Sequence, residues 1–237
     1  MQSKGILYLI PVLLGDTEVN QVLPLEIEKT LVGLQSLIVE NSKAARKYIK
    51  SISPTTKQSD LKLFELNKHT DQKEIKSFLD PLLNGENMGL MSDAGCPGVA
   101  DPGAVVVKYA HELGIEVRPL VGPSSILLSL MGSGMNGQSF VFHGYLPIDK
   151  NEKKQKLKAI ERVSFEQKQS QIFIETPYRN NQMLADMIQI LHPNTKLCIA
   201  CDLTLPTQFL QTQRISYWKK NTPDLHKKPC VFIIYKE

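Results

Sequence analysis

Five short apolar runs in the first 120 residues, each separated from the next by a segment of helical periodicity, leave few ways to fold that half of the chain. Strands are predicted at residues 6–12, 37–39, 61–66, 88–91 and 116–120. Helices are predicted at residues 25–34, 42–49, 71–83 and 104–113. Pro24 suits the first turn of the first helix, and Pro81 should disturb the third. Strands that alternate with helices build a parallel sheet with both faces covered. After residue 122 the texture changes. Residues 139–143, 171–175, 196–201, 209–215 and 230–235 read as strands, with only two clear helices among them and no long crossover before the last two. That pattern predicts a mixed sheet. The expected fold class is therefore α/β, with an N-terminal parallel α/β domain (residues 1–122) and a C-terminal mixed-sheet α/β domain (residues 123–237).

The bulk properties narrow the class of protein only slightly. At 42% hydrophobic and 22% charged residues the composition is that of an ordinary globular protein, and a net charge of +4 is weak grounds for a polyanionic partner. Met1-Gln2-Ser3-Lys4-Gly5 leads into an apolar run of only about nine residues, too short to span a bilayer, so the expectation is a cytoplasmic protein with no membrane segment. Cys198-Ile199-Ala200-Cys201 spells C-x-x-C. It falls in a predicted strand, where positions three apart face opposite sides, and no second such pair completes a tetrahedral set. With His69, His111, His143, His192 and His226 scattered, no metal site is expected. The lysine-rich stretch DKNEKKQKLK at residues 149–158 reads as a solvated helix face in preference to a nucleic-acid patch.

Two nucleotide-binding signatures fail on context. Gly132-Ser133-Gly134-Met135-Asn136-Gly137 matches G-x-G-x-x-G, but a helix precedes it and a strand follows, the reverse of what a dinucleotide fingerprint requires. These glycines read instead as a helix C-cap and turn. The chain has no phosphate-binding G-x-x-x-x-G-K-[ST] loop and no G-x-S-x-G nucleophile elbow. A more informative stretch is GLMSDAGCPGVADPGAVV at residues 89–106, which places Asp93 just past a strand's carboxyl end and follows it with a loop rich in glycine and proline. Glycine loses more freedom on ordering than any other residue, so such a loop exists where backbone must come close to something. Gly122-Pro123-Ser124-Ser125 and Leu14-Gly15-Asp16 also follow predicted strands. Three loops on the carboxyl edge of one sheet predict a ligand crevice.

Ser92-Asp93-Ala94-Gly95-Cys96-Pro97-Gly98-Val99-Ala100-Asp101-Pro102-Gly103, followed by Val121-Gly122-Pro123-Ser124-Ser125, resembles the S-adenosylmethionine-dependent tetrapyrrole (corrin/porphyrin) methylase superfamily. The likeness is to the branch known as ribosomal RNA small subunit methyltransferase I. It continues through Phe140-Val141-Phe142-His143-Gly144-Tyr145-Leu146-Pro147, Ile174-Glu175-Thr176-Pro177-Tyr178-Arg179 and Ala200-Cys201-Asp202-Leu203-Thr204, in order and over most of the chain. The resemblance implies two α/β domains with a cofactor cleft between them, a homodimer, and S-adenosylmethionine as methyl donor. Carried over residue by residue, donor contacts fall at Leu14, Asp93, Cys96, Ser125 and Ile126, and from the second domain at Thr176, Cys201 and Pro229. The apolar residues 126–131 and the region of Met135 suit a dimer contact.

The likeness breaks in the first domain's acceptor-facing loops. The loop Pro11-Val12-Leu13-Leu14-Gly15-Asp16 is shorter than the branch's, Glu40-Asn41-Ser42-Lys43 stands where the branch has EDTR, and Asn67-Lys68-His69 stands near the branch's histidine–asparagine pair. Donor binding is thus better specified than the acceptor. Transfer to a ribose hydroxyl benefits from a base; Glu40, Glu175 and Asp16 are the candidates, with Lys43 or Arg179 placing a phosphate. Three functions follow: 2′-O-methylation of small-subunit ribosomal RNA, methylation of a tetrapyrrole or other small molecule, and a non-catalytic relative that keeps the fold.

Overall fold

A computed structural model describes residues 3–67 and 70–237. Lys68 and His69, set above against the histidine–asparagine pair, lie outside the described residues, as do Met1 and Gln2. The chain divides into two compact units, Met1–Ser124 and Ser125–Glu237.

The first unit runs β1 (Ile6–Leu9), α1 (Val19–Val22), α2 (Leu25–Val32), β2 (Ser36–Val39), α3 (Ser42–Ile52), β3 (Lys62–Glu65), α4 (Gln72–Ser77), α5 (Asp80–Leu83), β4 (Met88–Met91), α6 (Ala104–Glu112) and β5 (Glu116–Pro119). Its five strands lie parallel in the order β3-β2-β4-β1-β5. Because side chains alternate along a strand, the central strands feed two cores. Ile38 and Leu90 join Leu7, Val106 and Ala110 on one face, whereas Leu37, Val39 and Met91 join Ile27, Leu31 and Ile49 on the other. Fully burying one such side chain stabilises the fold by about 1.5–3 kcal/mol. Helix α3 begins where the Asn41 side chain accepts a hydrogen bond from the Ala44 amide at 2.9 Å, and it buries Ala45, Ile49 and Ile52 along one stripe. The single helix expected at residues 71–83 is two short ones. The break falls at Phe78 and Leu79, and Pro81, which has no amide proton to donate, sits in the first turn of α5.

The second unit runs α7 (Ser125–Ser133), β6 (Phe140–Tyr145), α8 (Lys150–Gln167), β7 (Ser170–Ile174), α9 (Asn180–Ile190), β8 (Lys196–Cys201), β9 (Phe209–Arg214), α10 (Ile215–Trp218) and β10 (Cys230–Tyr235). Its sheet order is β6-β7-β10-β8-β9, with β6 and β7 parallel and the other pairs antiparallel, a mixed sheet. Helices α8 and α9 bury Leu157, Ile160, Leu184 and Met187 against Phe173, Ile199 and Phe232. Helix α7 ends at Ser133, and Gly134 takes the left-handed conformation at φ 67°, the turn anticipated for the false fingerprint. Leu127 and Met131 of α7 are exposed.

The lysine-rich stretch forms the start of α8, but it is not solvated throughout. Lys153 is buried, its ammonium 2.8 Å from the Asp186 carboxylate on α9. Period 3.6 alone does not reveal that a polar residue meets a partner on a helix far along the chain.

Candidate active site

The three loops singled out in the first unit meet at the carboxyl edge of its sheet and are tied to one another. Val12 and Gly95 exchange backbone hydrogen bonds in both directions, at 2.9 and 3.2 Å, joining the loop after β1 to the loop after β4. The Cys96 thiol donates to the Pro123 carbonyl at 3.4 Å, joining the loop after β4 to the loop after β5. Gly122 presses so closely on Pro11 that a Cβ built there would lie 2.1 Å from the proline Cβ. Gly95, at φ 74°, passes beneath Leu14. Leu14, Asp93 and Cys96 are thereby brought together as expected from the loops' positions.

Within the glycine loop, Asp101 acts as a clasp. Its carboxylate accepts from the Gly98 amide at 2.8 Å and from the Gly103 amide at 2.6 Å, closing the turn that leads into α6. Ala100 is driven to φ 62° within that turn. Gly98, at φ 84°, has no atom within 4 Å of where a Cβ would sit, so its backbone borders open space.

Glu40 has a role that chain order conceals. Strands β2 and β4 are neighbours in the sheet, so the residue after β2 stands beside the loop after β4. One Glu40 oxygen accepts from the Asp93 amide at 3.1 Å, which leaves the Asp93 side chain facing out, exposed. Burial pushes the Glu40 carboxyl above its ordinary value, and the nearby Asp93 and Asp101 charges add to this while the amide bond opposes it. Partial enclosure of the otherwise exposed Asp93 carboxylate by the surrounding loops raises it, and burial raises the Cys96 thiol. The connections from β2 and β4 leave in opposite directions, toward β3 and toward β5. Open α/β sheets bind ligands at such a reversal.

The basic helix α3 starts one residue after Asn41, directly beyond Glu40. Lys43, Lys47 and Lys50 are exposed, whereas Arg46 is half-buried and donates to the Gln58 carbonyl. Asp16 is exposed in the loop after β1. The Tyr48 hydroxyl donates to the Pro11 carbonyl at 2.6 Å, bracing that loop from α3.

In the second unit, sheet direction gathers the remaining candidates. Strand β10 runs antiparallel to both β7 and β8, so Thr176 after β7, Cys201 at the end of β8 and Pro229 before β10 share one end of the sheet. Ser125 and Ile126 open α7, directly after the Pro123-Ser124 turn. Glu175 is buried, and one of its oxygens accepts from the Thr176 amide at 2.6 Å and from the Arg179 guanidinium at 2.7 and 3.0 Å. Cys201 lies opposite Cys230 across the β8–β10 pair, Cα atoms 4.3 Å apart, and the two form a disulfide. Its sulfur is thus committed, and the residue is fully buried. Sequence spacing had suggested only that Cys198 and Cys201 point apart; the strand register supplies the partner. Among the described residues, no group of three or more His, Cys, Asp or Glu side chains is placed to hold a metal ion, and no helix is long and apolar enough to cross a membrane.

No family model matches the chain. A search of curated proteins finds the ribosomal RNA small subunit methyltransferase I of Vibrio cholerae, 31% identical over 206 residues that span 87% of this chain and 67% of that protein. It also finds the protein of the same description from Synechocystis sp., 31% identical over 224 residues, 92% of this chain and 76% of that one. The chain belongs to the ribosomal RNA small subunit methyltransferase I family. Among solved structures, this methyltransferase I family member has the fold of the uroporphyrin-III C-methyl transferase from Thermus thermophilus, which was crystallised with S-adenosyl homocysteine. The TM-score is 0.60 at 14% identity, covering 98% of each chain. The fold is thus the tetrapyrrole methylase fold.

Proposed function

We propose that the protein transfers a methyl group from S-adenosylmethionine to small-subunit ribosomal RNA, at a ribose 2′-hydroxyl. The observation that carries the donor half of this reading is the carboxyl edge of the first sheet, where glycine backbone borders open space and the outward Asp93 carboxylate stands beside Glu40. That edge suits a cationic, hydrogen-bonding ligand: carboxylates complement positive charge, and Gly98 leaves room where any side chain would intrude. When bound, the donor supplies an electrophilic methyl carbon on a sulfonium. Asp93, Leu14 and Cys96 would hold it on this edge, and Ser125, Ile126, Thr176, Cys201 and Pro229 are the further contacts that the resemblance implies.

What the chain itself must do is position the reactants, since in-line displacement at carbon needs no protein nucleophile. Glu40 and Glu175, two of the three candidate bases, each accept a hydrogen bond from a neighbouring backbone amide, and Glu175 is also paired with Arg179. In this reading Glu40 works through Asp93, holding the glycine loop in its binding shape. Calorimetric titration with S-adenosylmethionine separates the roles. Asp93→Ala should weaken binding by about 1–3 kcal/mol. Glu40→Ala should weaken it as well, whereas Glu40→Gln, which keeps an acceptor for the Asp93 amide, should bind nearly as the parent does. Loss of methyl transfer in Glu40→Gln with donor affinity unchanged would make Glu40 the base instead. Because burial raises both carboxyls, they take up protons at higher pH than ordinary carboxylates. Affinity for the cationic donor should therefore decline as pH falls through weakly acidic values, and Asp93→Asn should flatten that decline.

The RNA half is supported by family membership and by the exposed Lys43, Lys47 and Lys50 on the helix that follows Glu40. Contacts dominated by phosphate weaken as salt rises. Labelled methyl transfer to small subunits from a strain lacking the gene should fall steeply from low to moderate salt, and Lys43→Ala with Lys47→Ala should flatten the slope. No transfer to subunits or to their naked RNA would sink the RNA reading and leave a small-molecule acceptor in its place.

A further inference from the structure

An exposed aromatic ring on a rigid turn stands at the end of the second sheet that also carries Thr176, Cys201 and Pro229. Strand β7 gives way to Thr176-Pro177-Tyr178-Arg179, a tight turn in which the Arg179 amide donates to the Thr176 carbonyl at 2.9 Å. Tyr178 is 71% exposed there. An apolar ring left this open in a floppy loop would mean little, but this loop is fastened on several sides. The Lys227 amide donates to the Pro177 carbonyl at 3.1 Å, with Lys227 itself held in the left-handed region at φ 60°. Asn180 donates to the Lys228 carbonyl at 2.6 Å, and Asn181 donates to the Asp224 carboxylate at 2.8 Å while its own oxygen accepts from the Leu225 amide. Leu225, 1% exposed, anchors the second loop in the core. The His226 ring then stands edge-on to Tyr178, centroids 6.0 Å apart.

We infer that Tyr178, flanked by His226, Lys227 and Lys228, is a stacking platform for a base of single-stranded RNA. This inference rests on the RNA reading above and adds to it a specific surface. A flat ring whose face is open and whose orientation is already paid for in the free protein suits a planar, sequence-independent partner, because every base offers a π face. Lysines next to His226 in the chain suit the phosphates on either side of that base: Lys227 is exposed and, among the described residues, makes no ion pair, while Lys228 is half-buried and its charge acts on the Asp224 carboxylate. A peptide or second copy of the chain would be expected to cover more than one exposed ring, whereas the exposed Lys227 next to His226 favours a polyanion.

The test is binding of a fluorescein-labelled single-stranded RNA of about ten nucleotides, long enough for one stacked base and its flanking phosphates, read by anisotropy, with donor titration and light scattering on the same samples. Tyr178→Ala should weaken RNA binding about tenfold, within the range for one stacked base. Tyr178→Phe should restore it to within about twofold of the parent, since the face is kept. Lys227→Ala should lower the slope of log affinity against log salt by about 0.7, the increment for one phosphate on a single strand. Unchanged donor affinity in Tyr178→Ala shows that the fold survives. RNA affinity unchanged in Tyr178→Ala overturns the platform while leaving the RNA reading intact. Absence of RNA binding by the parent, with donor binding retained, overturns both. Loss of a dimer in Tyr178→Ala with RNA affinity unaffected would make the ring a self-association contact and also overturn the proposal.

Discussion

Gly122→Ala should unfold the first unit more readily and cost the protein most of its donor affinity. The Cβ of alanine at this position would sit 2.1 Å from the Pro11 Cβ and 2.5 Å from its Cγ. A flexible side chain would swing aside, but a proline ring cannot. Pro11 is buried, and its carbonyl is held by the Tyr48 hydroxyl. The only relief is for the loops after β1 and β5 to separate, and that would pull on the Val12–Gly95 and Cys96–Pro123 bonds that tie all three loops. Overpacking of a well-packed site costs about 1–3 kcal/mol, and the rigidity here places the expected loss near the top of that range. If a chain of this length melts in one transition, that corresponds to a fall of about 6–12 °C in its melting temperature. Gly137→Ala is the control, since no atom lies within 4 Å of its added Cβ. Circular dichroism melting and donor titration together check the expectation. A Gly122→Ala protein with parental melting and affinity would show that the three loops are not mechanically coupled.

Lys153→Met should destabilise the second unit by about 3–5 kcal/mol, the usual cost of leaving one member of a buried ion pair without its partner. Both side chains are nearly removed from solvent, 11% and 10% exposed, and the remaining Asp186 oxygen already accepts from Gln182 at 2.8 Å. With the ammonium gone, the carboxylate has no cation and little water. The double variant Lys153→Met with Asp186→Leu should regain most of the loss, because the desolvation cost of the pair disappears with it. Trp218 makes the measurement selective. It is the only tryptophan, 1% exposed in the second unit's core, with its indole nitrogen donating to the Leu197 carbonyl at 3.0 Å. Its fluorescence during urea unfolding therefore follows the unit that contains the ion pair. Equal midpoints for the single and double variants would refute the argument.

Much of the candidate site was readable one loop at a time. Asp93 and Cys96 announced themselves because glycine and proline crowd the stretch after an apolar strand, and a short strand can be recognised from its own residues. The tie between Glu40 and Asp93 was not readable, since it depends on β2 and β4 being neighbours although β3 lies between them in the chain. Glu40 and Glu175 look alike in sequence, each a carboxylate just past an apolar strand. Only their surroundings distinguish a partly buried acceptor for a loop amide from a buried partner of Arg179. Asp101 was read as part of a family motif, yet its work is local, holding the Gly98 and Gly103 amides.

Hydrophobic periodicity and the punctuation of glycine and proline are local quantities, and they were sufficient for the alternating parallel half, the mixed-sheet half and the three loops at strand ends. Tertiary structure decided which of those ends are neighbours. Strand order brings Glu40 beside Asp93, the β8–β10 register sets Cys201 against Cys230 across 29 residues, and helix packing turns Lys153 inward to Asp186 while its neighbours in α8 stay in water. Each of these pairings joins residues far apart in the chain, and the energy of such a contact depends on distance in space, which no window of sequence contains.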